Sequence, residues 1–342
     1  MNLLRIFIFG LIFVFCSAAW GQEDEKKKKK KKEDNEWIEQ IDFIVGLKPH
    51  FTNLSDFFII HEKKAGSRTN FFLIDKKNSN SIIYRPNINS TAGGELMFKF
   101  MRLSYDWSTP IFKKDFSNGF ESTLNNIKLG INTRIFGLNV YYTRYNGLYL
   151  MNSDALGVTS ESEIFRNDIN TYTIGIDMRF VFTGKFSIKA AFHQSERQRK
   201  SKGGFLLLIA DRYSFFDADR TLIPNNHSNR FSDLNKRYHN AKTNTFYIIP
   251  GWAYTWVAGK LSFTWLLNTG LGLQAQSYRL DNDYVLKLKV PAFVRGKAAL
   301  GYNGDYFYTN LIGGAEFHRM PLQDAVMNYE FYNWTYAIGI RF

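Results

Sequence analysis

The side chains best equipped for chemistry lie between positions 193 and 200. His193, Gln194, Ser195, Glu196, Arg197, Gln198, Arg199 and Lys200 follow one another without an apolar break. A histidine beside a serine and a carboxylate has the residue types of an acid–base relay, in which imidazole takes a proton from the hydroxyl and an acid orients the ring. On a strand, however, His193 and Ser195 point one way and Glu196 the other. A relay through the catalytic candidates His193 and Ser195 therefore needs an acid from elsewhere in the fold. Arg197, Arg199 and Lys200 suit a different task, the binding of phosphate groups by forked guanidinium and point charge. If this stretch climbs into an outer loop, the phosphates are those of lipopolysaccharide. Plain solvated charge is the third reading.

A second set of charges recurs at alternate positions along apolar stretches: Lys128, Arg134, Asp177, Arg179, Lys189, His193, Arg295, Lys297, Glu316 and Arg341, joined by Glu95, Lys99, Arg102, Asp106 and His318. Charges of both signs on one face can pair into a structural network or line a polar channel. Desolvation favours pairing. No metal site is expected, because the histidines at 50, 61, 193, 227, 239 and 318 have no ligand spacing. No glycine-rich phosphate loop precedes a helix, and no cofactor is expected.

The elements that carry these charges read as strands. In the last segment Tyr332, Trp334, Tyr336, Ile338, Ile340 and Phe342 alternate with Asn333, Thr335, Ala337, Gly339 and Arg341. Side chains of a strand point alternately to opposite faces, so this segment has a greasy side and a polar side. The stretches 127–135, 172–182, 186–193 and 261–277 repeat the pattern. No helical period runs over a useful length. The segments are long enough to cross a bilayer at a tilt, whereas sandwich strands are usually about five or six residues. The apolar faces are aromatic-rich, matching 17% aromatic residues overall, and carry Trp252, Trp256, Trp265 and Trp334. The fold expected is an all-β, transmembrane antiparallel up-and-down β-barrel of about twelve strands, with fourteen as the alternative. A soluble periplasmic β-sandwich binding protein is the competing architecture.

Turn lengths give the orientation. Short turns are expected at 100–101, 136–137, 183–184, 258–260 and 303–305. Longer polar stretches follow at 109–124, 150–168, 194–203, 279–289 and 319–326. Outer-membrane barrels keep the short turns on the periplasmic side. The strand count is least secure over 204–242, where a strand at 204–216 breaks up–down parity unless a partner lies within 225–244. Pro250 falls inside an expected strand and should interrupt its ladder.

The first 21 residues read as a secretory signal peptide. Arg5 is the positive start, Ile6 to Cys16 the apolar run, and Ala19 and Gly21 the small residues before a cut at Gln22. The run is about half the ~20 residues a spanning helix needs. Cleavage there removes the single cysteine, leaving no disulfide or thiol chemistry. Residues 22–40 follow as a charged, disordered periplasmic lead-in, with lysines 26–32 set against nearby acids. The barrel then occupies 41–342. Of the formal charge of +13, the leader and the charged segment contribute +1 each, so about +11 belongs to the barrel. Outer-membrane lipid and lipopolysaccharide are the expected acidic partners, not nucleic acid. The terminal aromatic Phe342 is the residue barrel-assembly machinery would read.

Several pieces in order carry a family resemblance: Tyr84-Arg-Pro-Asn87, Tyr145-Asn-Gly-Leu-Tyr149, the long stretch from Lys185 to Gln198, Lys200-Ser-Lys-Gly-Gly-Phe205, Gly251-Trp-Ala-Tyr-Thr255 and Ala299-Leu-Gly-Tyr-Asn303. From about Ile41 to Phe342 the chain resembles an uncharacterised family of exported proteins from Bacteroidetes-type bacteria, domain of unknown function 4421. The resemblance implies an exported barrel and assigns neither an activity nor site residues. Three function classes stay open: a small-solute pore, an envelope-structural barrel, and an enzyme with a rim site near His193.

Overall fold

Alternating apolar and polar residues become long antiparallel strands because one face of each meets lipid and the other the lumen. The computed structural model describes residues 51–53, 59–77, 80–88, 90–98, 100–109, 119–183, 185–194, 196–224, 231, 238–280, 283–321 and 325–341. The leader, the charged lead-in, Lys99, Ser195, the side chain of Arg341 and Phe342 lie outside this set.

The strands are β1 (Phe51–Asn53), β2 (Ile59–Asp75), β3 (Ser81–Arg85), β4 (Ser90–Phe98), β5 (Met101–Ser108), β6 (Thr123–Asn132), β7 (Phe136–Leu150) and β8 (Phe165–Val181), then β9 (Glu196–Gln198), β10 (Lys202–Asp217), β11 (Tyr238–Ala258), β12 (Leu261–Leu280), β13 (Asp283–Lys289), β14 (Ala292–Asn303), β15 (Phe307–Pro321) and β16 (Ala325–Arg341). Among the described residues twelve form a ring. The path runs β11-β10-β8-β7-β6-β5-β4-β2-β16-β15-β14-β12, and the β11–β12 pairing closes it. All the ring pairings are antiparallel. β13 extends the β14 line along β12 beyond the Val290-Pro291 break, and β3 stands off the ring against β2 and β7.

Closure excludes the sandwich. The outer face carries an apolar band that a soluble protein of this size would bury: Trp252, Trp256, Trp334, Leu271, Leu273, Ile248 and Phe246 are all exposed. On β16 the expected side faces out, with Tyr332, Trp334, Tyr336, Ile338 and Ile340 exposed while Ala337 is buried. No helix among the described residues is long and apolar enough to cross a membrane; the strands cross it. The chain is a transmembrane β-barrel.

The parity problem resolves at the β8–β10 connection. Residues 186–193 were expected as a lipid-facing strand. They instead fold back inside the barrel as a helical turn over Lys189–His193. Phe186 and Ile188 are completely or almost completely buried. An alternating apolar run this short does not distinguish strand from helix. Here Ser187 supplies the missing helix signal by accepting the Ala190 N–H at 3.1 Å. The hairpin expected at 183–184 is therefore the start of a long inward excursion, and the partner of β10 is β11, beginning at Tyr238. Pro250 does interrupt a ladder. β10 pairs through it, but β11–β12 pairing skips from Ile248–Leu271 to Gly251–Asn268.

Candidate functional site

The excursion over 182–201 lies at the short-turn end of the barrel and plugs its lumen. Its apolar side chains Phe186 and Ile188 cluster with Val181, Leu206, Ala253 and Leu266 of the wall. Its charged anchor is Glu196, which is 2% exposed. The carboxylate accepts from Arg134 Nε at 3.1 Å and from Ser187 Oγ at 2.6 Å, and Lys189 Nζ lies 3.5 Å away. Arg134 belongs to the β6–β7 turn, so the hub ties plug to rim. The Glu196 carbonyl accepts from Asn303 Nδ2 at 2.7 Å, a second tie to the β14–β15 turn. β9, which carries Glu196, also pairs with β1 from the amino-terminal side. Gln194 closes the helical turn in a left-handed conformation (φ 55°), and its Nε2 donates to the Ala190 carbonyl at 2.9 Å.

Above the plug lies a polar chamber of about 360 Å³. At its far side Glu316 accepts from Arg212 Nη1 at 2.8 Å and Arg295 Nε at 2.5 Å, and His318 Nε2 lies 2.5 Å from the same carboxylate. Asp177 faces the same guanidiniums, 3.5 Å from Arg295 and 3.9 Å from Arg212. Aromatic rings wall this cluster: the Arg212 guanidinium stands 5.0 Å and that of Arg295 5.2 Å from the Phe293 ring centre. Gly175 makes the space for Tyr141, whose ring occupies the place a side chain there would fill. Arg212, Glu316, Tyr141 and Tyr329 line both this chamber and a second one of about 130 Å³ toward the long loops, so the charged layer partitions the lumen.

The long-loop end is capped. Ile82 and Tyr84 of β3, Leu156 and Val158 of the 151–164 loop, and Leu222, Ile223 and Phe231 of the next loop share one buried apolar cluster. Burial pushes the Tyr84 hydroxyl up to about 12 against the lowering pull of Arg166. It stays protonated and donates to the Leu222 carbonyl at 2.6 Å. Arg166 grips Asp168 with two bonds of 2.7 Å and donates to the carbonyls of Thr221 and Arg220 at 2.8 and 3.0 Å. Arg166→Ala should loosen the 218–224 segment by roughly 2–3 kcal/mol. The readout is cleavage there by added protease, faster in the variant; an unchanged rate would show that the cap is held elsewhere.

The charges expected in the lumen divide accordingly. Lys128, Asp177, Arg179, His193, Arg295, Lys297 and Glu316 do line the chamber. Arg134 and Lys189 lie at the inner mouth on Glu196, and Lys189 and His193 reach the interior from the plug, not from a strand. Of the residues weighed for a relay, Glu196 is committed to Ser187, Arg134 and Lys189, while His193 Nδ1 has no hydrogen-bond partner among the described residues. Ser195 is outside the described residues. Arg197, Arg199 and Lys200 were expected in an outer loop. They lie instead at the opposite, short-turn end, where Arg197 pairs with Asp305 at 2.7 Å. Hydrogen bonds from Lys260 and Arg197 hold the Asp305 carboxyl below its usual range. That end faces away from the long loops, where the contact with lipopolysaccharide phosphate was expected.

Residues 58–342 match the family model described as Domain of unknown function (DUF4421). The chain belongs to this family. No curated protein sequence matches it. Solved structures resemble this DUF4421 barrel only distantly. The outer membrane protease OmpT from Escherichia coli is 7% identical at a TM-score of 0.39, covering 85% of this chain and 98% of that one. The toluene transporter TodX from Pseudomonas putida is 9% identical at 0.29, covering 84% and 90%. Neither likeness carries an argument about activity.

Three residues central to the DUF4421 barrel were not singled out as lumen sites by sequence: Arg212, Glu196 as an anchor, and Arg166. Arg212 sits on β10 between two nearly apolar faces, Leu206, Leu208 and Ala210 inside and Phe205, Leu207 and Ile209 outside. The alternation that marks a lumen face elsewhere is missing there. An arginine at the end of such a run was the available signal.

Proposed function

We propose that this protein is an outer-membrane barrel that passes small polar solutes through a lumen closed at rest by its own 182–201 segment. The observation that carries the reading is the seating of the plug. It is tied to the rim by the buried Glu196–Arg134 pair, the Asn303 hydrogen bond to the Glu196 carbonyl and the Arg197–Asp305 pair, and it leaves a charged chamber of about 360 Å³ behind it. A barrel that needed only to be solid could fill that volume with apolar side chains, as small barrels do. The short-turn end, with the plug, is assigned to the periplasm and the capped long loops to the exterior, following the usual build of such barrels. The lipid-facing band, together with the leader expected from the sequence, supports localisation in the bacterial outer membrane.

The test is solute flux in proteoliposomes. The wild-type barrel should admit sugars and amino acids slowly. A variant with residues 186–198 replaced by a short Gly-Ser link should admit them freely, while keeping the heat-modifiable mobility of a folded barrel. A folded but impermeable plug-deleted barrel overturns the reading in favour of the envelope-structural one, which the closed state at both ends also supports.

A further inference from the structure

The plug-side half of the chamber carries more positive charge than its own carboxylates neutralise. The chamber is lined by six cationic side chains, Arg102, Lys128, Arg179, Arg212, Arg295 and Lys297, against four acids, Glu95, Asp106, Asp177 and Glu316. The acids are spoken for. Glu316 and Asp177 are committed to Arg212 and Arg295 on the loop side. Glu95 pairs with Arg102 at 3.3 Å, and Asp106 accepts from Asn126 at 2.8 Å. Arg179 and Lys297 make no close ion pair among the described residues, although Asp177 lies within electrostatic reach of the first and Glu316 of the second. Arg179 is held from one side only: its Nη2 donates to Asn132 Oδ1 at 2.9 Å, while its Nε is buried with no partner. Lys297 Nζ stands 6.0 Å from the Phe192 ring centre on the plug. His193 lies within electrostatic reach of three cations, Arg102, Arg179 and Lys297, and of one carboxylate, Glu95, and its Nδ1 is buried without a partner among the described residues.

The wall is shaped to keep these cations in place. A side chain at Gly137 would begin 2.7 Å from Arg179 Nη2, so this glycine leaves room for the guanidinium. Arg179 is half-buried and Lys297 is open to the chamber, and a bound anion would supply the close counter-charge that neither has within ion-pair distance. Guanidinium and ammonium groups together suit an oxyanion, which takes a forked contact from one and a point charge from the other.

We propose that Arg179 and Lys297, with His193 of the plug, form a binding site for a small oxyanion of the phosphate or dicarboxylate class. The site deepens the solute-passing reading by naming the class of solute, and it rests on that reading for its physiological role. Binding itself does not require conduction, so the two can fail separately.

The experiment is calorimetric titration of the full mature chain in neutral detergent at low ionic strength. The probes are inorganic phosphate, succinate and glucose. Phosphate or succinate should bind saturably and glucose should not; whichever anion binds more tightly identifies a phosphoryl or a carboxylate source. Arg179→Gln and Lys297→Gln should each weaken anion binding about tenfold or more, the effect of losing one charge-assisted contact. Both variants are first checked for heat-modifiable mobility. If Arg179→Gln does not fold, Lys297→Gln is read alone, since Lys297 reaches into open chamber and leaves no buried partner behind. No saturable anion binding by folded wild type overturns the proposal, as does wild-type affinity in a folded variant. Saturable binding by a barrel that proves impermeable even without its plug leaves the site standing and removes the pore.

Discussion

Glu196→Gln is expected to turn a mostly silent barrel into one that opens in steps across a planar bilayer. The carboxylate is buried at the inner mouth and meets Arg134 at 3.1 Å and Lys189 at 3.5 Å, with a hydrogen bond from Ser187. Glutamine preserves its shape but withdraws the charge that two nearly buried cations share. Removing one member of a buried ion pair costs roughly 3–5 kcal/mol, because the partners keep their desolvation penalty. In the unplugged state Arg134 and Lys189 regain water, so the penalty falls on the plugged state alone. A change of that size shifts the plugged-to-open ratio by at least about a hundredfold. The plug keeps Phe186 and Ile188 on the wall, each worth roughly 2 kcal/mol of apolar burial, so openings should be frequent but not permanent. Arg134→Gln should act more weakly, since Lys189 and Ser187 still satisfy Glu196. The double variant should add little beyond Glu196→Gln, because both changes remove one interaction. A folded Glu196→Gln barrel that stays silent at every applied voltage means the plug is not gated by this hub.

The barrel was legible in the sequence where each face of a strand meets one medium. On β16 and β12 lipid selects tryptophan and leucine at every second position and the lumen selects asparagine, threonine and glycine. The pattern survives with no knowledge of neighbours. The plug was not legible for a related reason: residues 186–193 are apolar at alternate positions but meet the wall on one side and the chamber on the other. The cap was hidden differently. Leu156, Val158, Leu222 and Ile223 are isolated apolar residues in polar loops, and their common cluster exists only once three loops converge. The ionic layer needed ring closure. Arg212 and Glu316 stand 104 positions apart on strands that are not adjacent in the sheet, and alternation says which way each points but not what stands across the lumen. Alternation therefore gives each charge a face, while none of their partners could be read.

The energetics of that layer decide whether the lumen is a sealed interior or a wet one. Glu316→Ala should lower barrel stability by about 3–5 kcal/mol, since it strands Arg212 and Arg295, both little exposed, with only Asp177 to balance them. Glu316→Gln should cost less, because an amide oxygen still accepts one guanidinium hydrogen bond. Replacing the pair together, Arg295→Met with Glu316→Met, should restore much of the loss, since the remaining Arg212 then has Asp177 to itself and the apolar pair packs on Phe293. Urea unfolding midpoints of the refolded barrel in one detergent give the comparison, and the double-mutant cycle isolates the Arg295–Glu316 coupling from the loss of either group alone. The size of that coupling reports the medium around the charges. In water a pair of unit charges about 4 Å apart attracts by about 1 kcal/mol, and at the effective dielectric of a protein by about 4 kcal/mol. A coupling near the larger value requires that plug and cap keep bulk water from the layer. A Glu316→Ala barrel within about 1 kcal/mol of wild type means that the chamber is continuously hydrated, and the description of a lumen closed at both ends would have to be abandoned.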